Sequence, residues 1–183
     1  LTAGNALEVR ESVEVLAGGG PSDVVDLTLA LAREMLVAAG RTDVDPADAL
    51  ADGRAMDAWR RMIAAQGGDP DAPLPTARET HVVTAESDGV LTALDAFGVG
   101  VSAWRLGAGR SRPGEDVQAG AGIELHAKPG DEVRAGAPLM TLHTDTPERF
   151  ERALEALEGA VRIESAASGA VSASADVVID RIG

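Results

Sequence analysis

Gly67-Gly-Asp-Pro-Asp-Ala-Pro-Leu-Pro-Thr76 divides this chain in two. Two glycines and three prolines within residues 66–76 leave no room for a helix interior or a central strand. Proline removes a donor and fixes φ, and glycine gives up backbone order. We place a domain boundary there, with residues 1–73 on one side and 74–183 on the other. The two sides differ in hydrophobic period. Upstream, Asn5 with Glu8 three residues on has the form of a capping box, and Ala6, Val9, Val13 and Leu16 recur at helical spacing. Gly18–Gly20 end that helix, and Pro21 suits the first position of the next. Over 21–39, Val24, Leu27, Leu31 and Met35 form one stripe; Val25, Leu29, Ala32 and Leu36 form a second beside it. So wide an apolar surface predicts contact with more than one neighbouring element. Asp45-Pro46 opens a short helix near 46–51, and another runs over 53–65 through Met56, Trp59 and Ile63.

Downstream the period shortens. Val82–Thr84 and Val90–Leu94 read as strands joined by the turn Ser87-Asp88-Gly89. A short helix over 98–107 carries Trp104, and Gly109 to Gly122 is loop-like. Ile123–Ala127 alternates as a strand, Pro129–Asp131 turns, and Val133 and Leu139–His143 continue the sheet. Thr146-Pro147 caps an amphipathic helix with Phe150, Ala153, Leu154 and Leu157 on one face. Glu148 and Arg152 are spaced as an i,i+4 pair on its outside. Residues 164–175 read as loop and Val177–Ile179 as a last strand. Helices and strands mix without strict βαβ alternation, so the class is α+β.

Composition excludes several functions. Thirty acids against 16 bases give a net charge of -14, which repels nucleic acid and anionic lipid. There is no cysteine, hence no disulfide, thiolate metal site or cysteine nucleophile. No apolar run is long enough to span a bilayer and the start carries no signal-peptide pattern, so the expected location is cytoplasmic. With aromatics at 2%, the core has to be built from Ala, Val, Leu and Ile.

Five features invite a chemical reading. Gly98-x-Gly100-x-x-Ala103 outlines a dinucleotide fingerprint, but no acid ends a following strand, and strand–turn–helix packing explains the glycines as well. Gly107-Ala-Gly109-Arg110 with Arg112 would suit an anion; against this, Glu115 and Asp116 stand ready to pair with the arginines. His81, His126 and His143 lack zinc-ligand spacing and read as structural. Glu8 and Glu11, three apart, form either a solvated face or part of a hard-cation site. Lys128, the only lysine, lies in Ala-Lys-Pro-Gly-Asp-Glu-Val-Arg-Ala-Gly-Ala-Pro-Leu, which looks like half of a biotinyl or lipoyl barrel. Because it precedes the Pro-Gly turn, it fits a carrier lysine poorly; a non-catalytic carrier or binding module is the alternative reading.

Residues 1–36, LTAGNALEVRESVEVLAGGGPSDVVDLTLALAREML, and 53–70, GRAMDAWRRMIAAQGGDP, resemble pyrimidine-nucleoside phosphorylases, including the thymidine phosphorylases. Asp88-Gly89, Leu106-Gly-Ala-Gly-Arg110, Gly122-Ile123, Lys128-Pro-Gly-Asp131 and Gly136 follow in the family's order. The resemblance implies that 1–73 are helices of a large α/β lobe and 74–183 an α/β-hammerhead C-terminal domain. It implies a homodimeric pentosyltransferase that splits thymidine with phosphate as co-substrate, giving thymine and 2-deoxyribose 1-phosphate without a cofactor for the chemistry. The family's Lys-His-Ser-Thr-Gly-Gly phosphate loop, and the Arg, Ser and Lys that hold the pyrimidine, have no counterpart here. This chain therefore resembles the carboxyl-terminal portion, with no catalytic residue of its own, and is expected to be inert alone. Some members bind a structural potassium ion; by position, its ligands here would be the Thr2 carbonyl and the Glu11 side chain.

Overall fold

The computed structural model describes residues 1–165, 177–180 and 182. In chain order, β1 (Thr2–Gly4) leads to α1 (Ala6–Leu16), α2 (Ser22–Ala38), α3 (Pro46–Ala51) and α4 (Arg54–Ala65). Then come β2 (Glu79–Thr84), β3 (Gly89–Leu94), α5 (Ala96–Ala103), β4 (Gly122–Leu125), β5 (Glu132–Val133), β6 (Pro138–Thr144), α6 (Arg149–Glu155) and β7 (Val161–Glu164). The class is α+β, as expected. The chain forms two compact units. One joins Leu1–Val9 to the chain from Leu74 on; the other holds Arg10–Pro73 and the described tail residues 177–180 and 182. The first nine residues thus group with the later part of the chain, across the boundary drawn from sequence.

The first unit contains two antiparallel sheets, ordered β1-β4-β6-β2 and β5-β3-β7. This corrects the sequence reading of one continuous sheet with β2 and β3 as a hairpin. The Ala85 N–H donates to the Ala137 carbonyl and its carbonyl accepts from Gly136 N–H, so the chain follows the β6 side before crossing. Asp88 then takes the Ala135 N–H at 2.8 Å, fixing the entry into the second sheet. Buried Val99, Ala103 and Leu106 from the α5 region and Ala153, Leu157 and Ala160 from the α6 region pack on Ile123, Met140 and Leu142 of the larger sheet. A smaller cluster of Ala85, Leu91, Ala127, Val133 and Leu139 fills the second. Both are aliphatic, as the scarcity of aromatics dictates.

In α5 the Asp95 carboxylate caps the helix, accepting from Phe97 and Gly98 N–H. The helix continues into a wider turn over Trp104–Ala108, broken at Gly107, whose φ is 114°. One side chain closes the loop that follows. Gln118 accepts from Asp145 N–H at 2.7 Å through Oε1 and donates to Thr146 Oγ1 at 2.8 Å through Nε2. Buried Thr144 donates to the Leu106 carbonyl at 2.7 Å beside it. The expected Glu148–Arg152 pair does not form. Arg105 instead meets Glu155 at 3.3 Å and also donates to the Arg152 carbonyl.

The second unit is helical and thinly packed. Among its described residues only Val15 is buried. Asp45 caps α3 through Ala47 N–H at 3.0 Å and pairs with Arg33 at 3.1 Å. The broad apolar surface of α2, expected to be covered by more than one neighbour, is open: Met35 is 72% exposed and Leu31 57%. The expected strand at Val177–Ile179 is also corrected, since these residues are a bend and coil with Ile179 93% exposed. The loop expected over 164–175 begins later than Glu164, which ends β7, and residues 166–175 lie outside the described residues.

Candidate functional site

The Gly4-Asn5-Ala6-Leu7-Glu8 run forms a joint. β1 is an edge strand paired antiparallel with β4, with Gly4 opposite Gly122. The backbones come so close that a methyl on Gly4 would lie 2.6 Å from the Ala121 carbonyl, and one on Gly122 2.4 Å from the Ala3 carbonyl. Both positions therefore exclude a side chain. Asn5 Nδ2 donates to the Ala108 carbonyl at 2.7 Å, and Ala6 N–H to the Ala119 carbonyl at 3.0 Å. Glu8 reaches back to Gly4 N–H at 2.7 Å, one residue earlier than a capping box would place it.

Strand register decides what Thr2 offers. Leu125 N–H donates to the Leu1 carbonyl at 2.7 Å. Hydrogen-bonded pairs alternate along an antiparallel ladder, so Thr2, opposite Glu124, turns its carbonyl to the sheet's outer edge. The Thr2 hydroxyl is buried without a hydrogen-bond partner among the described residues. An outward backbone carbonyl is a ligand type that suits a hard cation. Glu11 lies half-buried on α1, in the part grouped with the second unit.

The other sequence candidates fall apart from one another. Gly98 and Gly100 sit inside α5, not at a strand–helix turn. A methyl on Gly98 would stand 3.0 Å from the Ala156 carbonyl, so its role is helix packing. His126 Nε2 bonds Thr141 Oγ1 at 2.7 Å, His81 lies against the Phe150 ring, and His143 lies 3.8 Å from Glu124. Among the described residues no three His, Asp or Glu side chains group as a metal site. Lys128 is half-buried and heads a turn: its N–H donates to Asp131 Oδ2 at 2.8 Å, and Asp131 N–H donates back to its carbonyl.

In the Gly107–Asp116 loop, Glu115 accepts from Ser111 N–H at 2.9 Å and lies 3.9 Å from Arg149. The Ser111 N–H, and after it Arg112 and Arg149, hold the Glu115 carboxyl below its usual range. Sequence reasoning anticipated a carboxylate partner here. It missed Arg149, which is 34 positions further on by the numbering, and Gln118, which no motif marks.

Residues 90–164 match the family model described as the pyrimidine nucleoside phosphorylase C-terminal domain. Over 158 residues, 86% of this chain, it is 55% identical to a Mycobacterium tuberculosis protein named thymidine phosphorylase, of which it covers 37%. It is 36% identical over 173 residues to the pyrimidine-nucleoside phosphorylase of Staphylococcus epidermidis, covering 88% of this chain and 40% of that protein. It is 35% identical over 153 residues to the pyrimidine-nucleoside phosphorylase of Bacillus subtilis, covering 78% and 35%. The chain spans less than half the length of these relatives.

Proposed function

We propose that this chain, which belongs to the pyrimidine-nucleoside phosphorylase family, is the C-terminal portion of a thymidine-cleaving enzyme. The observation that carries the choice of thymidine is the 55% identity to a thymidine phosphorylase, against 35–36% to the pyrimidine-nucleoside phosphorylases above. In the proposed reaction a phosphate oxygen bonds to the anomeric carbon as the C–N glycosidic bond breaks. The bonding pair leaves with the base, which is then protonated to thymine, and 2-deoxy-α-D-ribose 1-phosphate forms. Positive charge grows on the sugar and negative charge on the base, so the donors for phosphate and pyrimidine have to be preorganised. We assign those donors to the part of the enzyme outside this chain, and to this chain the packing and hinge surfaces against which the lobes close. The joint at Gly4, Asn5 and Gly122 supports that role, because it fastens the segment entering α1 to the larger sheet.

A structural potassium ion fits the same reading, held by the Thr2 carbonyl and the Glu11 carboxylate with further ligands from outside the chain. It would brace the joint and take no part in the chemistry. The enzyme is proposed to be a cytoplasmic homodimer; no helix among the described residues is long and apolar enough to cross a membrane.

The test is phosphorolysis of thymidine by two proteins: this chain alone, and this chain joined to the preceding part of the M. tuberculosis relative. The chimera is expected to release thymine in the presence of phosphate, and the isolated chain none. Turnover by the isolated chain would overturn the assignment of the donors. In the chimera, Glu11→Gln is expected to lower the melting temperature in potassium and not in a bulky organic cation. Equal losses in both would remove the ion.

A further inference from the structure

A pocket of about 300 Å³ in the first unit gathers Trp104, Arg105, Arg149 and Arg152 with Ser111. We propose that it binds a phosphomonoester carried on a planar ring, of the nucleoside 5′-monophosphate class.

The ring platform comes first. Trp104 is 40% exposed, yet its indole is fixed. Its N–H donates to the Arg110 carbonyl at 3.0 Å, and Gly109 lies so near that a methyl there would stand 2.5 Å from Cδ1. A held, open indole is a stacking surface whose ordering cost is met in the folded chain. It sits on the wide turn that ends α5.

The anion contacts come second. Three guanidiniums line a small space in a chain of net charge -14. Arg105 is already engaged by Glu155 at 3.3 Å and by the Arg152 carbonyl, and contributes its charge to the lining. Arg149 is held by the Arg105 carbonyl at 3.4 Å and by Glu115 at 3.9 Å. The Arg152 guanidinium has no ion-pair or hydrogen-bond partner among the described residues, since the Glu148 spaced to meet it does not. Guanidiniums suit phosphate because their donors match its oxygens in pairs. Two carboxylates share the lining. Glu115 is engaged by the Ser111 amide, whereas Glu148 remains to oppose an anion.

That opposition gives a test with two signs. In the 183-residue chain carrying Trp59→Phe, Trp104 is the one indole left, and its emission reports the pocket directly. Thymidine 5′-monophosphate is expected to quench it saturably, with Kd below about 1 mM. Thymidine and inorganic phosphate, each offering half of the recognition, should bind at least about tenfold more weakly. Arg152→Gln should weaken the monophosphate about tenfold without changing the circular dichroism melt, and Glu148→Gln should tighten it about twofold or more. No saturation, or Arg152→Gln binding as the parent does, would overturn the site. Inorganic phosphate binding as tightly as the monophosphate would overturn the ring component. The test reads no turnover, so its failure leaves the proposed phosphorolysis standing.

Discussion

The two units put one kind of sequence to opposite uses. In the first, Leu106, Ile123 and Leu142 are wholly buried, and helices α5 and α6 close over a sheet. In the second, α2, α3 and α4 contain no buried residue, although α2 carries a broad apolar stripe. A stripe of Leu27, Leu31 and Met35 at helical spacing states that a face is to be covered, not by what. The first unit carries its own cover, because β4 and β6 are within reach along the same chain. The second leaves that face open among the described residues, and the chain spans under half the length of its relatives. Exposed patches of this kind mark an interaction surface.

The largest effect should come from removing a side chain that the first unit encloses. Leu142→Ala is expected to destabilise that unit by about 2–5 kcal/mol, through lost transfer energy and the cavity left behind. Leu31→Ala in α2 should change stability by less than about 0.5 kcal/mol in the same chain. Urea titration of both variants measures the contrast. If the two losses were similar, the units would not differ in the way described.

Next is the polar knot. Gln118 ties the Gly107–Gly120 loop to the end of β6 through the Asp145 N–H and Thr146 hydroxyl. Gln118→Leu keeps the bulk but leaves those groups without their partner, at a cost of about 1–3 kcal/mol. Hydrogen exchange should then quicken at Asp145 and in the loop, while the buried strand β4 stays protected. Quickening spread evenly through both sheets would mean that the knot holds the whole unit.

These residues mark how far the sequence could be read. The helices of the first third were legible because their signals are local: Asp45-Pro46 starts α3 in the structure as in the sequence. Gly109–Gly122 was legible as irregular for the same reason. Sheet assignment was not. Ser87-Asp88-Gly89 has the composition of a hairpin turn, yet β2 and β3 belong to different sheets, a choice made by Ala85 pairing with residues 136 and 137. Nor could the strand pattern at Val177–Ile179 tell whether a neighbouring strand exists to pair with it. Of the candidate site, the carboxylate at Glu115 could be anticipated. The meeting of Arg149 and Arg152 with Trp104 could not, since packing of α6 against the end of α5 creates it.

The open face of α2 can be tested without unfolding anything. Leu31→Lys with Met35→Lys should lower binding of a hydrophobic dye several-fold and leave the melting temperature within a degree or two. In the chimera with the relative's preceding segment, the same pair should be strongly destabilising if that segment covers the face. Equal tolerance in both proteins would show that nothing covers it.

The smallest expected effect is electrostatic and belongs to the second unit. The Ala47 N–H, and with it Arg33, hold the Asp45 carboxyl below its ordinary value of 3.8. A depressed folded value means that the stabilisation is present above the unfolded value and is lost as pH falls through the folded one. Both partners are about half exposed, so the contribution is screened and modest. Acid titration followed by helical circular dichroism should therefore show part of the loss in the second unit below about pH 4. Asp45→Asn keeps a capping oxygen without the charge. It should start slightly less stable at neutral pH and lose less across that window, converging with the parent at the acid end. Parallel titration curves would mean that the cap works through its hydrogen bond alone and that the Arg33 pair contributes nothing measurable.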